Sequence, residues 1–138
     1  MQLAIGADHA GFRLKEDLKK ELSGISFVDV GTHSEDPVDY PDIADKLCTL
    51  LVKEHIQGIL ICSTGIGMCM AANRNPKIRA ALGYSTEAAR LSRLHNNANV
   101  LCLASRTMKA EDAIEIAKAW LDTRFSGEER HVRRLSKF

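Results

Sequence analysis

Mostly apolar runs alternate with amphipathic stretches along this chain. The apolar runs are residues 3–7, 26–30, 59–61, 79–84 and 99–104. Each run has the length and composition of a strand. In the stretches between them apolar residues recur at helical spacing, as Leu14, Leu18 and Leu22 do among lysines and glutamates. Strands that alternate with helices in this way predict a parallel sheet covered by helices on both faces.

The predicted fold class is therefore α/β: a five-stranded parallel sheet in a Rossmann-like three-layer α/β/α sandwich, with a C-terminal helical tail. A length of 138 residues, 45% of them hydrophobic, suits a single domain over residues 1–138. Nineteen basic and eighteen acidic residues leave a net charge of +1. We therefore expect no nucleic-acid partner and no anionic membrane partner, since no overall field would attract either.

The chain shows neither a leader-like segment nor an apolar run long enough to span a membrane, and we expect a cytoplasmic protein. Its four cysteines are then expected to be reduced. They include no C-x-x-C pair and no tight cluster with histidine, so the sequence predicts no structural zinc site. We interpret Cys48, Cys69, Cys102, Met68 and Met70 as core residues.

Polar residues follow three of the predicted strands. They are Asp8-His9, Cys62–Gly67 and Ser105-Arg106. Ligands of open parallel sheets bind outside the carboxyl ends of the strands. We therefore expect these three loops to open onto one crevice.

The stretch from Gly58 to Asn73, GILICSTGIGMCMAAN, carries the sharpest chemical signal. It predicts a buried strand ending in Cys62, then a glycine-rich turn that opens a helix. A thiol beside a helix N-terminus is favoured as the thiolate, which can take a proton from carbon, and the amides of the turn can stabilise an oxyanion. The alternative is that Cys62 is ordinary core filling.

His95, followed by Asn96, lies in a loop before the last strand, where a histidine can exchange protons near neutral pH and an asparagine can bind a sugar hydroxyl. An exposed histidine without a role is the competing interpretation. Asp8 can cap the first helix. In the basic tail, Arg130 and Arg134 are four residues apart and can hold a phosphate together if the tail is helical, or can simply be a solvated helix end.

An ordered set of motifs resembles the ribose-5-phosphate isomerase B family, within the group that includes galactose-6-phosphate isomerase. The motifs are GADHAG (6–11), DVGT (29–32), DYPD (39–42), the 58–73 stretch, IRAAL (78–82), SRLHNNANVLCL (92–103) and RHVRR (130–134). Each motif alone is weak. Their order from residue 3 to about residue 134 is specific.

The resemblance implies interconversion of ribose 5-phosphate and ribulose 5-phosphate through a cis-enediolate, without a metal or organic cofactor. It implies that Cys62 is the base between C1 and C2, and that His95, helped by Asp8, opens the sugar ring. The enediolate cradle would comprise Thr64 and the turn from Gly65 through Ile66 to Gly67, beside Ser63. The implied phosphate ligands are His9, Arg106, Arg130 and Arg134, and the further substrate contacts are Tyr40 and Asn96.

Family members differ in the base, and some use a glutamate in the helix after the turn. That position is Met68 here, and Cys62 is present, so the cysteine-type mechanism is the consistent one. The resemblance also implies a homodimer or dimer of dimers with shared active sites, in which His95 and Arg106 serve the neighbouring subunit.

Three alternatives stay open. Many members have glycine at the positions of Ser63 and Ala104, so allose 6-phosphate is an alternative substrate, and galactose 6-phosphate is another. The third is a non-catalytic phosphate-binding module on the same fold. The enzyme hypothesis expects Cys62, His95 and the arginines to converge, whereas the module needs neither Cys62 nor His95.

Overall fold

Five parallel strands form one sheet at the centre of the molecule. The computed structural model describes residues 1–138. Its strands are β1 (Gln2–Ala7), β2 (Ser26–Asp29), β3 (Gln57–Cys62), β4 (Ala80–Leu82) and β5 (Val100–Ala104). They are ordered β2-β1-β3-β5-β4, with every neighbouring pair parallel. The predicted five-stranded parallel sheet is confirmed.

Six helices accompany the sheet and complete a three-layer sandwich. They are α1 (Phe12–Glu21), α2 (Tyr40–Glu54), α3 (Ile66–Ala72), α4 (Thr86–Leu94), α5 (Ala110–Leu121) and α6 (Glu129–Leu135). One core lies between the sheet and helices α1, α4 and α5, and a second lies between the sheet and helices α2 and α3. No helix has the length and apolar composition that crossing a membrane requires.

The central strands are apolar on both faces because each face meets a core. In β3, Ile59 and Ile61 enter the first core, while Leu60 and Cys62 enter the second. A strand covered on both sides has no polar alternation, which explains the continuous apolar run. Cys62 thus lies on the sheet face that α3 covers.

The observed boundaries depart from the sequence pattern in two places. β4 has three residues instead of the predicted six, at the edge of the sheet. α2 begins at Tyr40, inside a segment expected to be a loop, because Pro41 fits the first turn of a helix. The prediction that Met70 packs in the core is wrong, because this residue of α3 is 69% exposed.

The free edge of β4 is capped at Ala80 by side chains of α3 and of the residue that follows it. Asn73, which follows α3, donates from Nδ2 to the Ala80 carbonyl at 2.9 Å and accepts from the Ala80 amide at 2.9 Å. The Cys69 thiol donates to the same carbonyl at 3.4 Å. Both backbone groups of Ala80 that point away from β5 are therefore satisfied within the chain.

The end of β2 is held by a fully buried lysine of α1. Lys15 Nζ lies 2.7 Å from both carboxylate oxygens of Asp29 and donates to the Thr32 carbonyl at 2.6 Å. Burial alone would raise the pKa of Asp29, but hydrogen bonds from Lys15 and Lys19 outweigh it and lower that pKa. This ion pair fixes the loop that leads to α2.

Candidate active site

The three predicted strand ends meet at the carboxyl edge of the sheet. The Asp8 amide donates to the Ile61 carbonyl at 3.1 Å, and the Ser105 amide donates to the Cys62 carbonyl at 2.9 Å. The Arg106 amide donates to the Ser63 carbonyl at 2.9 Å. The expected convergence of these loops is confirmed.

Cys62 ends β3 with its thiol enclosed by the following turn. Its side chain is 5% exposed, and the Gly65 amide donates to Sγ at 3.1 Å. Gly65 has φ +75°, and a Cβ there would lie 3.1 Å from the Leu103 carbonyl. Only glycine combines that backbone angle with so close an approach to β5. The sulfur is thus held against an amide donor by a turn that other residues would distort.

The rest of the turn opens onto the crevice. The half-buried Thr64 accepts the Ile66 amide on Oγ1 at 3.3 Å, and the Ile66 side chain is 52% exposed. The Tyr40 ring packs on Gly67 so closely that an added Cβ would meet Cζ at 2.7 Å. The first amides of any helix have no partner within it, so the start of α3 offers donors to an oxyanion here.

Asp8 and His9 follow β1 at the same edge. The nearly buried Asp8 accepts the Gly11 amide on Oδ1 at 3.1 Å, but Gly11 is itself the N-cap of α1 and no side chain caps that helix, so the predicted cap is wrong. His9 accepts the Val38 amide on Nδ1 at 3.2 Å. An imidazole whose Nδ1 accepts carries its proton on Nε2 when neutral. Nε2 is then the donor that His9 can offer to an anion.

A second group of predicted residues lies at the opposite edge of the sheet. α4 runs antiparallel to the strands and ends just before His95 and Asn96, which precede the start of β5. At that end Val100 pairs with Gly58, whereas Cys62 pairs with Ala104 at the other end of β5. Four residues of strand separate these levels by about 13 Å. Within a single chain His95 therefore does not reach Cys62, and the expected convergence stays a prediction about an assembly with shared active sites.

The tail packs at this amino edge as well. The Ser126 amide donates to the Leu94 carbonyl at 3.0 Å, which brings α6 alongside the end of α4. α6 carries both Arg130 and Arg134, which confirms the predicted helical tail. Arg130 Nε pairs with Glu128 at 2.9 Å, and both arginines are exposed. Of the four predicted phosphate ligands, only His9 and Arg106 lie on the carboxyl edge.

His131 is a residue that the sequence pattern missed. Its ring stacks on His95 with centroids 4.3 Å apart and planes inclined by 19°. The residue is 5% exposed, and its Nε2 has no hydrogen-bond partner. Burial, followed by the neighbouring His95 and Arg130, lowers the pKa of His131. In the sequence, the RHVRR motif points to function only through its arginines, and nothing in its composition signals one buried member.

The other cysteines share the layer of Cys62. Cys48 and Cys102 are buried as predicted, whereas Cys69 is half-buried. Burial raises the pKa of Cys48 to about 11. A hydrogen bond from Cys102 lowers the pKa of Cys69 to about 7 against the effect of burial. No three or more His, Cys, Asp or Glu side chains are arranged to hold a metal ion.

Comparison with known proteins shows which family this chain is similar to. A family model described as ribose/galactose isomerase matches residues 3–138. Ribose-5-phosphate isomerase B of Escherichia coli K12 is 39% identical over 97% of this chain and 91% of its own length.

Two solved structures extend the comparison. A ribose 5-phosphate isomerase from Thermotoga maritima is 48% identical, with TM-score 0.95 over 99% of this chain and 95% of its own. Ribose-5-phosphate isomerase B from Mycoplasma genitalium with bound ribulose-5-phosphate is 40% identical, with TM-score 0.92 over 99% of this chain and 92% of its own. A match over nearly the whole chain, with the predicted fold, means that this protein belongs to the ribose/galactose isomerase family.

Proposed function

We propose that this chain is an aldose–ketose isomerase that interconverts ribose 5-phosphate and ribulose 5-phosphate through a cis-enediolate. One observation carries the proposal: the Cys62 thiol lies at the carboxyl end of β3 with the Gly65 amide 3.1 Å from Sγ. Family membership and a relative that binds ribulose-5-phosphate support the choice of substrate.

The chemistry requires one base for two carbon positions. Cys62, as the thiolate, removes the proton from C2 of the open-chain aldose and returns a proton to C1, while the proton of the C2 hydroxyl passes to O1, which yields the ketose. Negative charge develops on the enediolate oxygens during the transfer. Amides at the start of α3 and the Thr64 hydroxyl stabilise that charge, as donors do in an oxyanion hole. No redox partner is needed, because the transfer is internal to the sugar.

The substrate is mostly cyclic, so a second proton transfer must open its ring. We assign that transfer to His95, with Asp8 assisting at the site. A general acid or base must lie about 2.6–3.2 Å from the atom it serves, or act through one water. The roughly 13 Å that separate the levels of His95 and Cys62 exceed this reach. We infer that His95 serves the site of a second copy, in a homodimer or a dimer of dimers.

The side of the molecule around β4 suits such a second copy. Exposed apolar side chains flank this edge strand on both faces of the sheet: Ile66 and Met70 on α3, and Leu91 and Leu94 on α4. A groove of about 480 Å³ beside Asn96 runs along the same side. Exposed apolar groups of this kind are typical of an interface between subunits. In the assembly, Asn96 contacts the sugar.

The phosphate site then draws on both edges of the sheet. His9 and Tyr40 come from the carboxyl edge, and Arg130 and Arg134 come from the tail of the second copy. Arg106 follows β5 at the crevice, and its guanidinium adds a further donor for phosphate. The thiol base must stay reduced, and we therefore expect the enzyme to act in the cytoplasm.

A coupled assay for ketose formation tests the proposal. We expect turnover of ribose 5-phosphate by the purified protein. Allose 6-phosphate and galactose 6-phosphate, run in parallel, test whether Ser63 and Ala104 admit a six-carbon substrate. Binding of ribose 5-phosphate without any product from the three sugars would favour the non-catalytic module.

A further inference from the structure

Arg93 is a nearly buried guanidinium that the proposed mechanism does not use. It lies in the last turn of α4, and the residue is 9% exposed. None of the ion pairs in the chain includes it. A buried charge without a counter-ion is costly unless many oriented dipoles surround it. Its partners therefore indicate what it holds in place.

One set of partners belongs to the loop that carries His95 and Asn96. Arg93 Nη1 donates to Asn97 Oδ1 at 3.1 Å and to the Ala98 carbonyl at 2.5 Å. These two contacts join the residue before the loop to the residues after it, so that His95 and Asn96 lie between fixed ends. Asn97 has φ +46°, and its carbonyl accepts from Arg79 Nε at 2.9 Å. The loop is thus pinned immediately after the two predicted functional residues.

A second set of partners belongs to the segment that leads into the tail, and the guanidinium also donates from Nη2 to the side-chain oxygen of Gln57, at the start of β3, at 2.8 Å. Arg93 Nε donates to the Thr123 carbonyl at 3.3 Å, and the guanidinium lies 5.5 Å from the centre of the Trp120 ring. The segment after Thr123 continues along α4 to α6, where His131 stacks on His95. A single side chain therefore contacts both segments that meet at the two histidines.

We propose that Arg93 is a positioning residue for ring opening, which holds the His95–Asn96 loop and the His131-bearing tail in register with each other. This inference rests on the proposed isomerase function. The planar guanidinium offers donors in a rigid fork, and it spans Asn97 on one side and Thr123 on the other. The ammonium of a lysine reaches one of these groups at a time. Arg93 acts on the substrate only through His95 and Asn96.

The two directions of the reaction separate positioning from a structural role. Ribose 5-phosphate is cyclic and needs ring opening before its C2 proton moves. Ribulose 5-phosphate is phosphorylated on O5 and has no furanose form, so exchange of its C1 proton with deuterated solvent needs only the base. Loss of ring opening with retained exchange is an outcome that general loosening of the fold would not produce.

Arg93→Lys is the test variant, and Arg90→Lys is its matched control on an exposed position of the same helix. At saturating substrate, we expect Arg93→Lys to lower kcat for ribose 5-phosphate by about 10- to 100-fold, as small misplacements of catalytic groups do. Deuterium exchange into ribulose 5-phosphate should stay within about twofold of the unmodified protein, and Arg90→Lys should leave both rates unchanged. Equal loss of both rates, or loss of neither, would overturn the proposal.

Asn97→Gly gives a second test if Arg93→Lys fails to fold. It removes the Oδ1 acceptor of Arg93 at a position whose positive φ suits glycine. We expect the same selective loss of ring opening, and an unchanged ratio of the two rates would overturn the proposal. A wild-type protein that neither isomerises nor exchanges would instead disprove the proposed function. The two failures are therefore distinguishable.

Discussion

The two edges of the sheet hold their functional side chains by different means. At the carboxyl edge, backbone groups fix the cluster: amides of Asp8, Ser105 and Arg106 bond to carbonyls of neighbouring loops, and the Gly65 amide meets the Cys62 sulfur. At the amino edge, backbone bonds such as that from the Ala98 amide to the Ser92 carbonyl at 2.9 Å are supplemented by long side chains, because Arg93 and Arg79 also hold the loop of His95.

The two edges therefore differ in whether side chains are positioned by the neighbouring strand or by contacts with distant residues. Residues placed directly after a strand take their positions from the sheet itself, whatever their side chains are. A loop after a helix has no such guide and needs dedicated contacts. The amino edge should therefore be the more sensitive to substitution outside the functional residues, while the carboxyl edge should be sensitive at glycines.

The largest effect is expected at the carboxyl edge, from Cys62→Ala. Removal of the base should lower kcat for ribose 5-phosphate by about 10²- to 10⁴-fold in the coupled assay. Proton exchange into ribulose 5-phosphate should fall with it. Cys48→Ala, in the same layer on α2, is the control and should retain turnover. Normal turnover by folded Cys62→Ala would remove Cys62 from the mechanism.

A large effect, about 100-fold on ring opening, is expected at the amino edge from His95→Ala. Mixing it with Cys62→Ala under conditions of subunit exchange tests whether the two edges meet across copies. Half of the dimers would then be mixed and each would hold one intact site, so activity should return to about a quarter of the wild-type value. No recovery, in a mixture shown to exchange subunits, would mean that the edges do not share a site.

A smaller effect is expected from Gly67→Ala at the carboxyl edge. The added methyl meets the Tyr40 ring and should displace it from the crevice. We expect KM for ribose 5-phosphate to rise about tenfold, which corresponds to about 1.4 kcal/mol of lost contact. Gly24→Ala is the control, because a Cβ there meets nothing within 4 Å. Equal KM values for the two variants would show that Tyr40 does not contact the substrate.

The smallest effect concerns pH and the amino edge. The lowered pKa of His131 means that the unfolded chain binds more protons than the folded one between that pKa and the ordinary value of 6.5. The free energy of unfolding should therefore fall as the pH falls through this window. His131→Phe keeps a stacked ring but no proton, so its urea midpoint should fall less between pH 7 and pH 5. His33→Phe, at an exposed position, should behave as wild type.

The sequence predicted the fold and the carboxyl edge well for one physical reason. The period of apolar residues identifies strands and helices, and strand ends identify the crevice, so Asp8, His9 and Cys62 were located correctly. For His95 the resemblance implied a role in the site of a neighbouring subunit, and that role stays a prediction. A residue just before a strand lies at the amino edge, and that signal was available.

Buried polar residues were the harder part. An arginine in the last turn of a helix is favourable for its charge alone, so the sequence gives no reason to expect the contacts of Arg93 with Asn97 and Thr123. His131 lies among exposed arginines, and only the structure shows that it is buried and stacked on His95. Such contacts join positions far apart in sequence, and no local pattern encodes them.

The two hydrogen bonds between the Asn73 side chain and the Ala80 backbone affect how copies of the chain can associate. An open strand edge invites another chain to add its own strand, and repeated addition leads to fibres without end. The side-chain amide already occupies the outward N–H and C=O groups of Ala80. At Ala80 a second copy must therefore join through side chains, and such contacts favour closed assemblies of defined size over fibres.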